Sequence, residues 1–419
     1  MLETFALGVP RTYVYHLLDL KPNPANDDLE MNFGIVATEG TGTDPANWTA
    51  RPKQAYDSLK ELFAITRDTA AADGRPAKLN YALTGAPATL HRVILSRRDG
   101  SIDLVLWNAV PVYNDRSYDC NDPRVAQYPP QDRCYWAMLL YSQDQGDAFP
   151  TDVPVTLDLA DRARVSTERP HSERSFTSLG AGRTFNLSVG ADPVFVRIDP
   201  EYPMAVKADD PVAYLRLDES AGNAVDSAGR GATVDAWAIA PTYGRPGAVG
   251  DGDSAVGVAR DQRATVHLPA PVNTGTGATF EIWVKPDPTT ANFAEYLQSD
   301  APDYRARLRT YNFAGGTQLG SAYGTTPGAQ GEMIFGGFDN GQWHHVVVTM
   351  AGGTSITYLD GRKVGQTTGG QALDLRAFAV GANSGNGGFK GDLDELAVYP
   401  TAVSAGRVCA HYRAAGGSC

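Results

Sequence analysis

From Lys78 onward the apolar residues of this chain come in short alternating runs, interrupted at near-regular intervals by Gly, Pro, Asn and Asp. No other feature constrains the fold as tightly. Successive side chains of a strand point to opposite faces, so a period of two specifies half-buried strands, and the breakers specify turns. Between Lys78 and Pro200 the runs are Leu90–Leu95, Ile102–Trp107, Trp136–Tyr141, Val153–Leu159, Arg162–Val165, Thr184–Val189 and Val194–Ile198. Asp99-Gly100, between two of them, is a hairpin signal. The pattern predicts an antiparallel β-sandwich of seven to eight strands over 76–203. The polar, Tyr- and Pro-rich stretch from Val112 to Arg133 reads as a long loop, and Asp199-Pro200-Glu201-Tyr202-Pro203 as a linker. A second all-β unit fills 206–419, with a helical turn at Ser404–Arg413 as its one helical feature.

Residues 1–75 have a different grammar. Arg11–Asp19 is a near-continuous apolar run, the pattern of a strand buried on both faces. Asn32–Val36 suggests a short second element. Pro52 then opens an amphipathic helix, with Ala55, Leu59, Leu62, Phe63 and Thr66 on one face and Lys53, Asp57, Lys60 and Glu61 outside. A single β/α unit of this kind cannot form a parallel sheet alone.

Charge and cysteine usage narrow the function classes. Lys and Arg number 36 against 48 Asp and Glu, for a net charge of −12, and no basic stripe is present. That excludes a nucleic-acid partner and suits a soluble protein or one that binds cations. No segment reaches the roughly 18 apolar residues of a membrane span. Met1–Phe5 lacks the basic and apolar regions of an export signal, so an extracellular protein of this sequence takes its signal from upstream. Cys120 and Cys134 are close in sequence, as are Cys409 and Cys419. The two pairs read as disulfides made in an oxidising compartment, with four free thiols as the competing reading. Neither spacing suits zinc.

Four stretches of the C-terminal segment resemble the laminin-G-like and concanavalin-like jelly rolls. They are Ala213–Gly229, Thr279–Lys285, Gln342–Thr349 with Thr357–Gly361, and Phe389–Tyr399. Within the second, Phe280, Ile282 and Val284 alternate with Glu281, Trp283 and Lys285, so each face is distinct. His344 and His345 are adjacent on a strand, point to opposite faces and are poorly placed to share one ion. Asp360-Gly361 reads as a hairpin turn. The resemblance implies a structural calcium near the first loop and the penultimate strand, where Asp226 and Asp394 stand, with Asp218, Asn223 and Asp392 as further ligands. Turn capping by the same side chains is the alternative.

The first 75 residues resemble the end of a TIM-barrel glycoside hydrolase. Leu2–Phe5 and Gly8–Tyr15 look like the end of its seventh helix and its eighth strand, and Asn32–Ile35 and Arg51–Tyr56 like the closing loop and eighth helix. The sandwich that follows is a looser match to the one such barrels carry. The fold class expected is therefore mainly β: two β-sandwich domains, over 76–203 and 206–419, preceded by a small α/β barrel remnant over 1–75. The resemblance implies that both catalytic carboxylates precede Met1. Glu39, in Thr38-Glu39-Gly40, is the one catalytic candidate within the chain, but it follows the eighth strand, where the nucleophile does not lie. His16 and Asp19, at the C-terminal end of the apolar strand, are candidate substrate contacts.

Sugars stack on aromatic faces flanked by polar groups. Trp237, Tyr243, Tyr304, Arg305, Arg307 and Tyr311 offer such groups, with burial in the core or its rim as the competing role. The reading reached is a non-catalytic, carbohydrate-associated C-terminal region of a secreted glycoside hydrolase, whose partner is a polysaccharide or glycoprotein glycan. The alternatives are a stand-alone extracellular lectin or adhesion protein, and a glycosidase active only when joined to an upstream barrel.

Overall fold

A computed structural model describes residues 17–18, 35–40, 44–68, 78–97, 99–110, 120–121, 123–134, 137, 151–170, 173–290, 294–299, 306–313, 316–323, 332–336, 338, 341–381 and 389–419. They fall into two compact units, divided mainly at Ile198/Asp199.

In the first unit, β1 (Val36–Gly40) and β2 (Trp48–Pro52) form an antiparallel pair, followed by helix α1 (Gln54–Thr66). Leu18 bridges Val36 in parallel; of the expected Arg11–Asp19 strand, only Leu17 and Leu18 fall within the described residues. A six-stranded sheet follows, built from β3 (Tyr81–Thr84), β4 (Leu90–Ser96), β5 (Ile102–Asn108), β6 (Val153–Arg169), β7 (Glu173–Val189) and β8 (Val194–Pro200). Its order is β3-β6-β8-β5-β4, with β7 on β6. The runs Val153–Leu159 and Arg162–Val165, expected as two strands, form one. The break in alternation between them is a register shift in the β6–β7 pairing, which disturbs the side-chain pattern without ending the strand. Asp99-Gly100 turns β4 into β5 as expected, with Gly100 at φ 93°. The expected run Trp136–Tyr141 lies outside the described residues, apart from Ala137.

Helix α1 packs through Leu62 and Ile65 onto Val93, Val105, Trp107 and Phe195. The expected face included Phe63, which is 60% exposed. Residues 62 and 65 are three apart and share a stripe that Phe63 lies outside. The helix ends without a glycine. Arg97 caps it instead, donating from Nη1 to the carbonyl of Ile65 (2.6 Å) and from Nη2 to that of Arg67 (3.2 Å).

The 199–203 stretch is not a linker. Strand β8 runs to Pro200, and helix α2 (Tyr202–Ala208) starts two residues later with Tyr202, Met204, Ala205 and Val206 buried. Pro203 in the first turn has no amide to lose there, so it opens a helix within the stretch read as a linker.

The second unit contains β9 (Ala213–Leu215), β10 (Thr233–Val234), β11 (Thr242–Pro246), β12 (Ser254–Val258), β13 (Arg263–Asn273), β14 (Ala278–Pro286), β15 (Ala294–Ser299) and β16 (Ala306–Phe313). It continues with β17 (Gly316–Tyr323), β18 (Glu332–Phe335), β19 (His344–Ala351), β20 (Thr354–Leu359), β21 (Arg362–Thr367), β22 (Asp374–Gly381), β23 (Gly391–Tyr399) and helix α3 (Ala405–Ala414). One sheet has the order β10-β13-β22-β15-β16-β17-β18. The other has the order β11-β12-β23-β14-β19-β20-β21, with β9 on β23.

Between the sheets, Phe280, Ile282, Val284, Val346, Val348, Leu393 and Val398 of one meet Val266, Tyr296, Leu375, Phe378 and Val380 of the other. Asp360 (φ 51°) and Gly361 (φ 74°) turn β20 into β21, the left-handed pair of a two-residue hairpin. The opposite face of the second sheet is also covered. Trp283, Val347 and Tyr399 pack with Tyr202 and Val206 of α2 and Val408 of α3 in a second core. Both disulfides are formed, Cys120–Cys134 and Cys409–Cys419.

Candidate functional site

Two polar clusters and one aromatic rim stand out in the second unit. The first cluster lies where β9, the approach to β12 and β23 meet. Alternation would send Asp394 and Glu395 to opposite faces. The pairing of β23 with β14 slips between Glu281 and Trp283, and Glu395 takes φ 52°, the signature of a bulge. Arg216, just beyond β9, then reaches three carboxylates. Its Nη2 donates to Asp251 Oδ2 at 2.5 Å and to Asp253 Oδ2, and its Nε to Glu395 Oε1 at 3.2 Å. The buried Tyr214 hydroxyl donates to Glu395 Oε2. Asp394 accepts the Ala248 amide at 2.7 Å. Asp253 Oδ1 and Asp394 Oδ1 are buried without a hydrogen-bond partner among the described residues.

One guanidinium cannot neutralise so many carboxylates. Burial and the adjoining Asp251 carboxylate, against Arg216, raise Asp253 to about 7. Burial and Asp253 push Asp394 well above the usual carboxylate range. Burial and Asp394 do the same to Glu395, although Arg216 and Tyr214 oppose them. These acids hold protons at pH values where exposed carboxyls have lost them.

The residues marked in the sequence as calcium ligands do not converge. Asp226 Oδ1 accepts the amides of Tyr214 and Ala228, both at 3.0 Å. Its Oδ2 accepts those of Arg230, Gly231 and Ala232 at 3.0, 3.2 and 3.2 Å. That is the turn-capping arrangement. Asn223 donates to the Val234 carbonyl at 3.4 Å. The Asp218 carboxylate stands 3.8 Å from Arg216 Nη1, and Asp392 is held by Arg245. Of the marked set, Asp218 and Asp394 lie beside the Arg216 cluster.

The second cluster was not foreseen. Glu281 is fully buried on β14 beneath α2 and α3. Its Oε1 accepts the Tyr202 hydroxyl at 2.7 Å and lies 2.8 Å from His345 Nε2. Its Oε2 accepts the Tyr399 hydroxyl at 2.7 Å and lies 3.0 Å from His411 Nδ1. Asp209 stands 2.9 Å from His411 Nε2 and is gripped by Arg407. Burial alone would lower His411, but Glu281 and Asp209 outweigh it and raise the imidazole to about 9. Burial opposes ionisation of Glu281, yet His411 and His345 hold it well below the ordinary range. His344 has a different partner, with Nδ1 2.9 Å from Asp360 Oδ2. The network locks two helices to a sheet and is buried. The signals for it were the polar residues of β14 and β19 and the His411-Tyr412 pair in α3.

The rim lies along β13. Ala238 donates to the Arg263 carbonyl at 2.9 Å and Gln262 to the Ala240 carbonyl at 2.7 Å, which holds the 235–240 segment against the sheet. Trp237 is half-buried, with part of its ring against the core. Its Cζ3 would lie 3.1 Å from a Cβ at Gly381, whose φ is 101°. Tyr243 donates its hydroxyl to the Gly222 carbonyl at 2.5 Å. Close by, His267 and Asp235 form an exposed pair at 3.0 Å. Tyr304 and Arg305 lie outside the described residues, and Arg307 and Tyr311 belong to β16.

In the first unit, Glu39 lies on β1 opposite Thr49, inside a hairpin and not in a closing loop. It is exposed and pairs with the Arg51 guanidinium. His16 and Asp19 lie outside the described residues. No helix among the described residues is long and apolar enough to cross a membrane.

Comparison with known proteins bears on the second unit. Residues 260–409 match the family model of the concanavalin A-like lectin/glucanases superfamily, Laminin_G_3. Among solved structures, domain 4 of AbnA, a GH43 extracellular arabinanase from Geobacillus stearothermophilus in complex with arabinotriose, is 20% identical at a TM-score of 0.36. That match covers 49% of this chain and 98% of the other. The binding domain of Paraclostridial Mosquitocidal Protein 1 is 14% identical at a TM-score of 0.38, with 48% and 51% covered. The botulinum neurotoxin serotype D binding domain is 13% identical at 0.37, with 50% and 52% covered. The match thus spans about half the length of either toxin domain. Comparison with curated proteins gives no match. Two packed antiparallel sheets and the family match together make residues 260–409 a concanavalin A-like jelly-roll domain.

Proposed function

We propose that the jelly roll is a glycan-binding module and that this chain is the non-catalytic, carbohydrate-associated C-terminal region of a secreted glycoside hydrolase. The observation that carries the reading is the lectin/glucanase family match over 260–409. Aromatic groups at the module's rim, Trp237 and Tyr243, supply the kind of surface on which sugar rings stack. The two disulfides support an extracellular setting. The glycosidase parent rests on the resemblance of residues 1–75 to a barrel's last β/α unit. Glu39, exposed and paired with the Arg51 cation, supports the absence of chemistry in this stretch.

Affinity electrophoresis of the purified chain in gels cast with plant, fungal and bacterial polysaccharides tests the reading. Retardation by at least one of them is expected, weakened in Trp237→Ala or Tyr304→Ala. A folded chain that runs freely through every gel and is silent on a glycan array overturns it. Release of sugar from any of these polysaccharides, abolished by Glu39→Gln, overturns the non-catalytic part. Reading the coding sequence upstream of Met1 tests the parent: an in-frame barrel supports it, and a promoter in its place supports the stand-alone lectin.

A further inference from the structure

A structural calcium is implied for folds of this kind, yet the donor set present does not suit one. Calcium takes about six to eight oxygens at about 2.3–2.6 Å. Asp226, the first residue marked for it, accepts five backbone amides on two oxygens with roughly four lone-pair sites, so nothing is left for a cation. Among the described residues, Asp251, Asp253 and Glu395 are the ligand-type side chains whose donor atoms lie within 4.8 Å of one another and could share an ion. Each of the three is already in contact with Arg216. A second cation on the same oxygens would meet the guanidinium in both volume and charge. Among the buried side-chain oxygens of this corner, Asp253 Oδ1 and Asp394 Oδ1 have no hydrogen-bond partner among the described residues, two atoms against the roughly six to eight that calcium takes.

We propose that Arg216 is a built-in cation that takes the place of a divalent ion at this corner of the jelly roll. Asp251 and Asp253 come from the approach to β12, Glu395 from β23 and Arg216 from the exit of β9, so the guanidinium ties together three segments distant in sequence. A delocalised, planar cation with five donors can bridge several carboxylates at once, as a metal does. The domain therefore folds without calcium, and removing the guanidinium opens a carboxylate cradle that acquires calcium dependence.

Thermal unfolding of the whole chain in EDTA, in calcium and in magnesium at matched ionic strength tests this. The wild-type midpoint is expected to be the same in all three, and terbium should give no saturable sensitised emission. A saturable, calcium-specific rise in the wild-type midpoint, or saturable terbium emission, overturns the proposal. Arg216→Gln should melt lower in EDTA and recover with calcium but not with magnesium, following mass action. Arg216→Lys, which keeps a point charge, should stay indifferent to calcium. A folded Arg216→Gln that ignores calcium also overturns the proposal. If that variant folds under neither condition, the wild-type titrations decide alone.

Discussion

Raising the pH from 6.5 to 9.5 should weaken the second unit, in part through one buried imidazole. His411 is fully buried between α3 and β14, 3.0 Å from Glu281 and 2.9 Å from Asp209. The folded protein keeps its proton up to about pH 9, against 6.5 for the free side chain. A folded pKa above the unfolded one means that the folded state binds the extra proton between those values. The stabilisation is therefore complete below pH 6.5 and is lost as the pH climbs through 9. At about 1.4 kcal/mol per pH unit, that interval corresponds to about 3 kcal/mol. This is a large part of the roughly 5–15 kcal/mol by which domains are stable. Glu168 and Asp253, both raised to about 7, also lose stabilisation with rising pH, but their share is gone by about pH 8. Asp394 and Glu395, pushed well above the carboxylate range, slope the same way, so the part of the pH 8–9.5 slope that is His411's is the difference between the wild type and a variant without the imidazole. Urea unfolding followed by circular dichroism at closely spaced pH values measures it, with His411→Gln as the control. The variant should be weaker at pH 6, since it leaves the buried Glu281 without its His411 partner, yet less steep than the wild type from pH 8 to 9.5. A flat wild type over that range, or a variant as steep as the wild type, refutes the reasoning.

Three further outcomes follow from the geometry. Asp226→Ala orphans five amides at the turn after β9, and should cost about 2–4 kcal/mol, read as a lower urea midpoint. Glu168, raised to about 7 by burial and by Glu61, contributes stability that is complete below its unfolded value and lost as the pH rises through 7, so Glu168→Gln should flatten the stability profile between pH 5 and 7.5. Reduction of Cys409–Cys419, which closes a 10-residue separation at the end of α3, should cost about 3 kcal/mol, measured as the midpoint difference with and without reductant.

The face of β14 that carries Phe280, Ile282 and Val284 was legible because three apolar residues at a period of two leave one choice of inside. The hairpin turns at Asp99-Gly100 and Asp360-Gly361 were legible because left-handed backbone selects those residue types. The other face of β14 was not. Glu281, Trp283 and Lys285 alternate like a solvated face, yet Glu281 is wholly buried and Trp283 nearly so, because α2 and α3 cover them. A buried carboxylate among two histidines and two tyrosines looks, in one dimension, like ordinary surface. The runs in β19 and β23, apolar on both parities, were the available sign that this sheet has two covered faces. The linker expected at 199–203 fails for the same reason, since Tyr202 packs into that second core.

The Arg216 corner shows why a candidate site resists sequence reading even when its residues are found. Asp226 and Asp394 were picked out as a pair, but a carboxylate's role depends on which donors reach it first. Asp226 is claimed locally, by amides no more than 12 residues away, and turn geometry guarantees those contacts wherever the chain folds. Asp394 is fixed by an amide 146 residues away, and Glu395 meets Arg216 only through a bulge that reverses the expected alternation. Local donors can be inferred from spacing; distant ones depend on register. An acidic cluster in sequence is therefore a question about its neutraliser, and in this protein a guanidinium 35 residues from Asp251 and 179 from Glu395 answers it.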